Sequence, residues 1–192
     1  MKCLVKLAKT EYLIVISISL IGFAFYLFIL TRQSLIYGID GPYYLIQVRS
    51  LLENGQLAFG DPPLSFFLFA FFTLLAGGDL TLGVRVGVAF FSALSAVPLY
   101  FLVRKITKNR YAGHISMLAC IFSAPHIRMM NDLLKNVVGA CFLLFFAYCL
   151  HNMTFSSERR NKNLFLASFF LVLTGVTPVS YTHLRAHETV LD

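Results

Sequence analysis

Tryptophan is absent from this 192-residue chain, so any aromatic belt at a membrane boundary must be built from its nine tyrosines. Charge is scarce too. Asp, Glu, Lys and Arg make up 13% of residues against 58% hydrophobic ones, and the mean hydropathy is +0.75. That leaves too little polar surface for a soluble globule. Cysteine is limited to Cys3, in the basic N-terminus, and to Cys120, Cys141 and Cys149, which lie inside apolar segments. None has metal-type spacing, so neither a disulfide framework nor a zinc site is expected, and the thiols read as small buried hydrophobes. The net charge of +7 is split among separate clusters between apolar segments rather than gathered on one face. Nucleic-acid binding is therefore not expected.

The chain has long apolar runs instead. Tyr12–Thr31 is about as long as a bilayer is thick, at roughly 1.5 Å of rise per residue. It is too long for a signal-peptide core and lacks a small-residue cleavage pattern, so it reads as a retained anchor. Further runs occupy Thr81–Val103, Tyr111–Ala124, Val137–Leu150 and Leu164–Thr177, while Leu64–Ala76 is short for a span. Basic clusters at Lys2/Lys6/Lys9, Arg104/Lys105/Lys108/Arg110 and Arg159/Arg160/Lys162 all fall on the cytoplasmic side if Leu64–Ala76 does not cross. The expectation is an all-α polytopic bundle of five crossings in the cell membrane, with the N-terminus cytoplasmic. Arg32, Arg49, Arg85, Arg128 and Lys135 then lie outside with five carboxylates: Asp40, Glu53, Asp61, Asp79 and Asp132.

Two outer segments follow. The first, residues 32–80, is long for a loop, and long ordered loops usually carry function. Within it residues 42–53 have Leu45, Val48, Leu51 and Leu52 at helical spacing, opposed by Gln47, Arg49 and Glu53. This predicts an amphipathic interfacial helix closed by Asn54-Gly55, with an Arg49–Glu53 pair within reach. Residues 64–76 predict a second interfacial helix. Asp40, just before the first of these helices, is either a cap or turn residue or a catalytic carboxylate at the water–lipid boundary. Asp61, ahead of two prolines, suits a rigid turn. The second, Pro125–Asn136, reads as a brief outer loop that gathers His126, Arg128, Asp132 and Lys135. These are either snorkelling residues at a helix start, or a phosphate-binding pair (Arg128, Lys135) beside a second carboxylate, with Arg85 able to join.

The order Asp40-Gly41-Pro42-Tyr43-Tyr44, Arg49, Asn54-Gly55, Asp61-Pro62-Pro63-Leu64 resembles the first external loop of the GT-C superfamily of polytopic, polyprenyl-phosphate-dependent glycosyltransferases. The Pro-Pro-Leu with its short apolar helix, followed by Gly77–Val86, resembles the protein O-mannosyltransferase-like branch. Ile127–Asp132 is more similar to the second acidic motif of oligosaccharyltransferase catalytic subunits. The likeness runs from about Thr10 to Thr177. It implies an inverting transfer of sugar from a polyprenyl-phosphate donor in the membrane lipid to a protein or glycan acceptor, on the outer face. Asp40 would be the base and Asp132 a second catalytic acid. Arg85, Arg128 and Lys135, with Tyr43, Tyr44 and Asp61, would form the substrate and phosphate contacts. Paired acids are usual in these motifs, whereas Asp40 and Asp132 each stand alone. Two isolated carboxylates make a thin shell for a divalent cation, so no metal ligands are assigned.

Residues 1–178 are expected to be the N-terminal portion of a longer enzyme, inactive alone. Residues 179–192 resemble translated adapter sequence, and the His183/His187 pair is set aside with them. Two other classes stay open. A transporter or lipid flippase would want charges or broken helices near mid-membrane. A non-enzymatic assembly protein would tolerate Asn at Asp40 and Asp132.

Overall fold

The apolar runs form helices because a backbone in hydrocarbon must satisfy its polar groups within its own segment. The computed structural model describes residues 2–33, 36, 40–155 and 160–177, with side chains from Thr10 onward. The side chains of Cys3, Lys2, Lys6 and Lys9, residues Gly38, Ile39 and Arg159, and the 179–192 tail with His183 and His187 lie outside the described residues. Among the described residues all regular structure is helical. The order is α1 (Lys2–Thr31), α2 (Gly41–Asn54), α3 (Leu64–Leu75), α4 (Leu80–Thr107), α5 (Arg110–Ile121), α6 (Ala124–Asp132), α7 (Leu134–Phe155) and α8 (Arg160–Gly175).

Three stretches, Thr10–Thr31, Leu80–Thr107 and Leu134–Phe155, are long and apolar enough to cross a bilayer. Leu13, Ile16, Leu20, Ile21 and Phe28 of α1 are all more than half exposed. Such an outward apolar face suits lipid and not water. The fold is a helical membrane bundle.

Side-chain contacts set the helix directions. Glu11 of α1 meets Arg104 of α4, while the other end of α1 meets Arg85 through the Gln33 carbonyl, so α1 and α4 are antiparallel. Tyr100 of α4 stacks on His114 of α5, and Phe145 of α7 on Phe170 of α8. Lys105 of α4 bonds Asn152 of α7, and Phe91 lies edge-on to Phe142, so α4 and α7 run parallel. One end of the bundle therefore carries Arg104, Lys105 and Arg110, and the other carries the outer loop.

The outer loop is ordered by a few specific contacts. Gly55, at φ 72°, closes α2 with its N–H on the Leu51 carbonyl, a left-handed position that glycine takes without steric cost. The buried face of α2 is Tyr44, Gln47, Val48 and Leu51, whereas Leu52 is 37% exposed. The expected polar face is thus rotated: Gln47 is fully buried because it bonds both the N–H and the carbonyl of Phe59. Among the described residues Arg49 and Glu53 form no ion pair. The 12-residue α3 packs against the start of α4, with Phe67, Phe71, Leu74 and Leu75 left exposed. A Cβ on Gly83 would lie 2.3 Å from the Thr73 Cα, so only glycine permits this approach of α3 to α4.

The segment Pro125–Asn136 is not a loop. It is mostly α6, a nine-residue helix beginning at Ala124, then a single break at Leu133. Pro125 sits in the first turn, where no helix donor is lost. The preceding helix ends at Ile121, whose carbonyl accepts from the Tyr26 hydroxyl at 3.0 Å. Together α5 and α6 make one ascending element, broken at Phe122–Ser123. His126 rests against Tyr26 and Met130 lies beside Leu30.

Candidate functional site

At the outer end of the bundle several polar side chains gather around Asp61. The Lys135 Nζ donates to both Asp61 oxygens, at 3.1 and 2.9 Å. The Tyr43 hydroxyl donates to Asp61 Oδ2 at 3.0 Å and accepts from Gln47 Nε2 at 2.9 Å. The Asp61 and Lys135 side chains are 5% and 13% exposed, so this is a buried pair joining the outer loop to the first turn of α7. Tyr43 stacks on Phe59, and Tyr44 lies against Phe66 and Phe69 with its hydroxyl 3.4 Å from the Lys135 backbone N–H. Asp61 lies in the irregular stretch just before Pro62 and Pro63 and provides the counter-ion of Lys135.

Burial, then the hydrogen bond to Asp61 and the charges of Asp61 and Asp40, push the Tyr43 hydroxyl up to about 12, with Gln47 pulling the other way. Burial likewise raises Tyr44. For a group raised in the folded state, the contribution to stability is present below its ordinary value near 10 and is lost as pH climbs through about 12. A tyrosinate absorbance titration of wild type minus Tyr43→Phe should therefore show a midpoint near 12. A midpoint near 10 would mean that the hydroxyl is neither buried nor bonded to Asp61.

Asp40 sits at the N-cap position of α2, but its side chain makes no capping bond and it is exposed. Of the other outer acids, Glu53 is exposed on α2 and forms no ion pair among the described residues, while three are engaged. Asp61 pairs with Lys135, Asp79 caps α4 by accepting from the Leu82 N–H at 2.9 Å, and Asp132 meets Arg128 at 3.4 Å. Asp40 is close enough for its charge to act on both Tyr43 and Tyr44. Asp132 ends α6, three residues before Lys135. Asp40 and Asp132 thus belong to the two chain segments that the Asp61 cluster joins, and among the described residues no bond links them directly.

The basic residues divide by role. Arg128 is 85% exposed on its side chain and, among the described residues, forms its ion pair with Asp132, whereas Lys135 is held by both oxygens of Asp61. Arg85 donates from Nη2 to the Gln33 carbonyl at 2.7 Å, at the junction of α1 and α4. Beside it a cavity of about 370 Å³ is lined by Ile29, Arg32, Gln33 and Asn131. Neither Arg32 nor Asn131 was singled out by sequence reasoning. The available signal was position: Arg32 is the first cation after the α1 apolar run, and Asn131 stands next to Asp132.

Among the described residues no three His, Cys, Asp or Glu side chains converge. Both Asp61 oxygens are taken by Lys135 and Tyr43, and Asp132 faces Arg128, so these donors do not fit a divalent cation.

Residues 60–178 match the family model described as dolichyl-phosphate-mannose-protein mannosyltransferase, over more than half of the chain. The chain belongs to that family. Membership in this mannosyltransferase family carries membrane glycosyltransferase activity in general, in keeping with the GT-C superfamily. The matched segment contains Asp61, Arg85, Arg128, Asp132 and Lys135, while Asp40, Tyr43 and Tyr44 lie upstream of it. No curated protein and no solved structure matches the chain.

Proposed function

We propose that this family member transfers a sugar, with inversion, from a polyprenyl-phosphate donor to a protein or glycan hydroxyl at the outer membrane face. The family match over residues 60–178 carries the reading. In this mechanism Asp40 removes the acceptor proton as the acceptor oxygen attacks the anomeric carbon. The bond from that carbon to the phosphate oxygen breaks, and the polyprenyl phosphate leaves with the electron pair. The phosphate gains negative charge as it departs, so cations placed at that point favour the transition state over the bound donor. Arg128, Arg85 and Arg32 are the groups for that task, with Asp132 orienting Arg128. Lys135 and Asp61, with Tyr43 and Tyr44, fix the loop that presents Asp40. The positive-inside distribution supports a multi-pass arrangement with a cytoplasmic N-terminus.

Labelled mannose supplied as dolichyl phosphate mannose to membranes holding the full-length enzyme should appear on a protein acceptor. Uptake of the sugar or flipping of the lipid without any transfer would move the reading to transport.

A further inference from the structure

A second polar site lies at the opposite end of the bundle from Asp40. A cavity of about 300 Å³ opens between the starts of α1 and α5, lined by Thr10, Glu11, Ile14, Arg110, Tyr111 and His114. Its one carboxylate is neutralised: Glu11 takes Arg104 at 2.7 Å and the hydroxyl of the fully buried Tyr100. Arg110 forms no ion pair with a carboxylate among the described residues. Its Nη2 donates to the Tyr111 hydroxyl at 3.2 Å, and its guanidinium stands 5.0 Å from the Tyr111 ring. The His114 ring is held flat on Tyr100, 4.9 Å between centroids, and its enclosed Nδ1 meets no hydrogen-bond partner among the described residues.

Below this polar rim the surface turns apolar. Leu13 and Ile14 on α1, and Ile115 and Leu118 on α5, are all more than 40% exposed. A free anion would use only the rim, whereas a molecule with an anionic head and hydrocarbon tails fits rim and surface together. We propose that this cleft binds an anionic glycerophospholipid, with Arg110 as the counter-charge to its phosphate and the exposed Tyr111 hydroxyl as a hydrogen-bond donor. The site lies apart from the transfer chemistry and does not depend on it.

The test uses the full chain, purified in detergent. Native mass spectrometry measures retention of dioleoylphosphatidylglycerol against dioleoylphosphatidylcholine, with inorganic phosphate as competitor. One basic residue near an anionic head is worth about a fivefold preference. Wild type should prefer the anionic lipid by at least that factor. Arg110→Gln should lose it, Arg110→Lys should keep it, and Arg160→Gln, an exposed cation at the same end, should not change it. Arg110 is exposed, so the melting temperature in phosphatidylcholine should be the same for all four proteins. Equal retention of the two lipids, an Arg110→Gln variant that behaves as wild type, or an equal loss in Arg160→Gln would each overturn the proposal. So would displacement of the lipid by millimolar phosphate, which would mark a free-anion site.

Discussion

Asp40→Asn in the full-length enzyme should lower sugar transfer at least a hundredfold at matched membrane expression. General-base catalysis contributes about 10²–10⁴-fold, and Asn keeps the size of the side chain while removing its capacity to take a proton. The outer acids of known engagement differ from Asp40 in what they hold. Asp61 holds Lys135, Asp79 caps α4 and Asp132 faces Arg128, whereas Asp40 is exposed and makes no capping bond. Since its side chain does not hold the helix start, the substitution should shift the melting temperature by no more than about 1–2 °C, the scale of a surface change. Equal transfer by wild type and variant would reduce Asp40 to a residue at the entry of α2 and send the search to Asp132.

The second large effect belongs to the Asp61–Lys135 pair. Removing one partner of a buried pair leaves an uncompensated charge and costs about 3–5 kcal/mol. Lys135→Met or Asp61→Asn should then lower the melting temperature by roughly 6–20 °C for a chain of this size. The double replacement Asp61→Leu with Lys135→Met removes both charges and should recover most of the loss. Kinetics separate this role from phosphate binding. If Lys135 held the donor phosphate, Lys135→Met would raise the donor KM with little thermal effect, and that result would return Lys135 to the binding set.

Much of the bundle was legible because hydrocarbon leaves the backbone few choices. Runs such as Tyr12–Thr31 announce themselves by length, and Gly55 by its place after a periodic segment. What failed shows where that logic stops. Gln47 looked solvent-facing from its chemistry, yet the Phe59 backbone satisfies it in the interior. Pro125 looked like a loop, although proline in a first turn is compatible with a helix, and Ile127 with Met130 already had helical spacing. The Asp61–Lys135 pair joins residues 74 apart, and no single-chain pattern encodes such a meeting. Composition and order pointed to the family, whereas which outer acids hold the structure together needed coordinates.

That sequence separation also sets a clock. During synthesis Asp61 emerges 74 residues ahead of Lys135. At about 5–20 residues per second the interval is on the order of 4–15 s. Throughout it the outer loop has Tyr43 and Gln47 but no ammonium for its carboxylate, so it cannot settle into its final form before α7 begins to appear. The newborn protein therefore passes its first seconds with an open outer face, and closes it only when its seventh helix arrives.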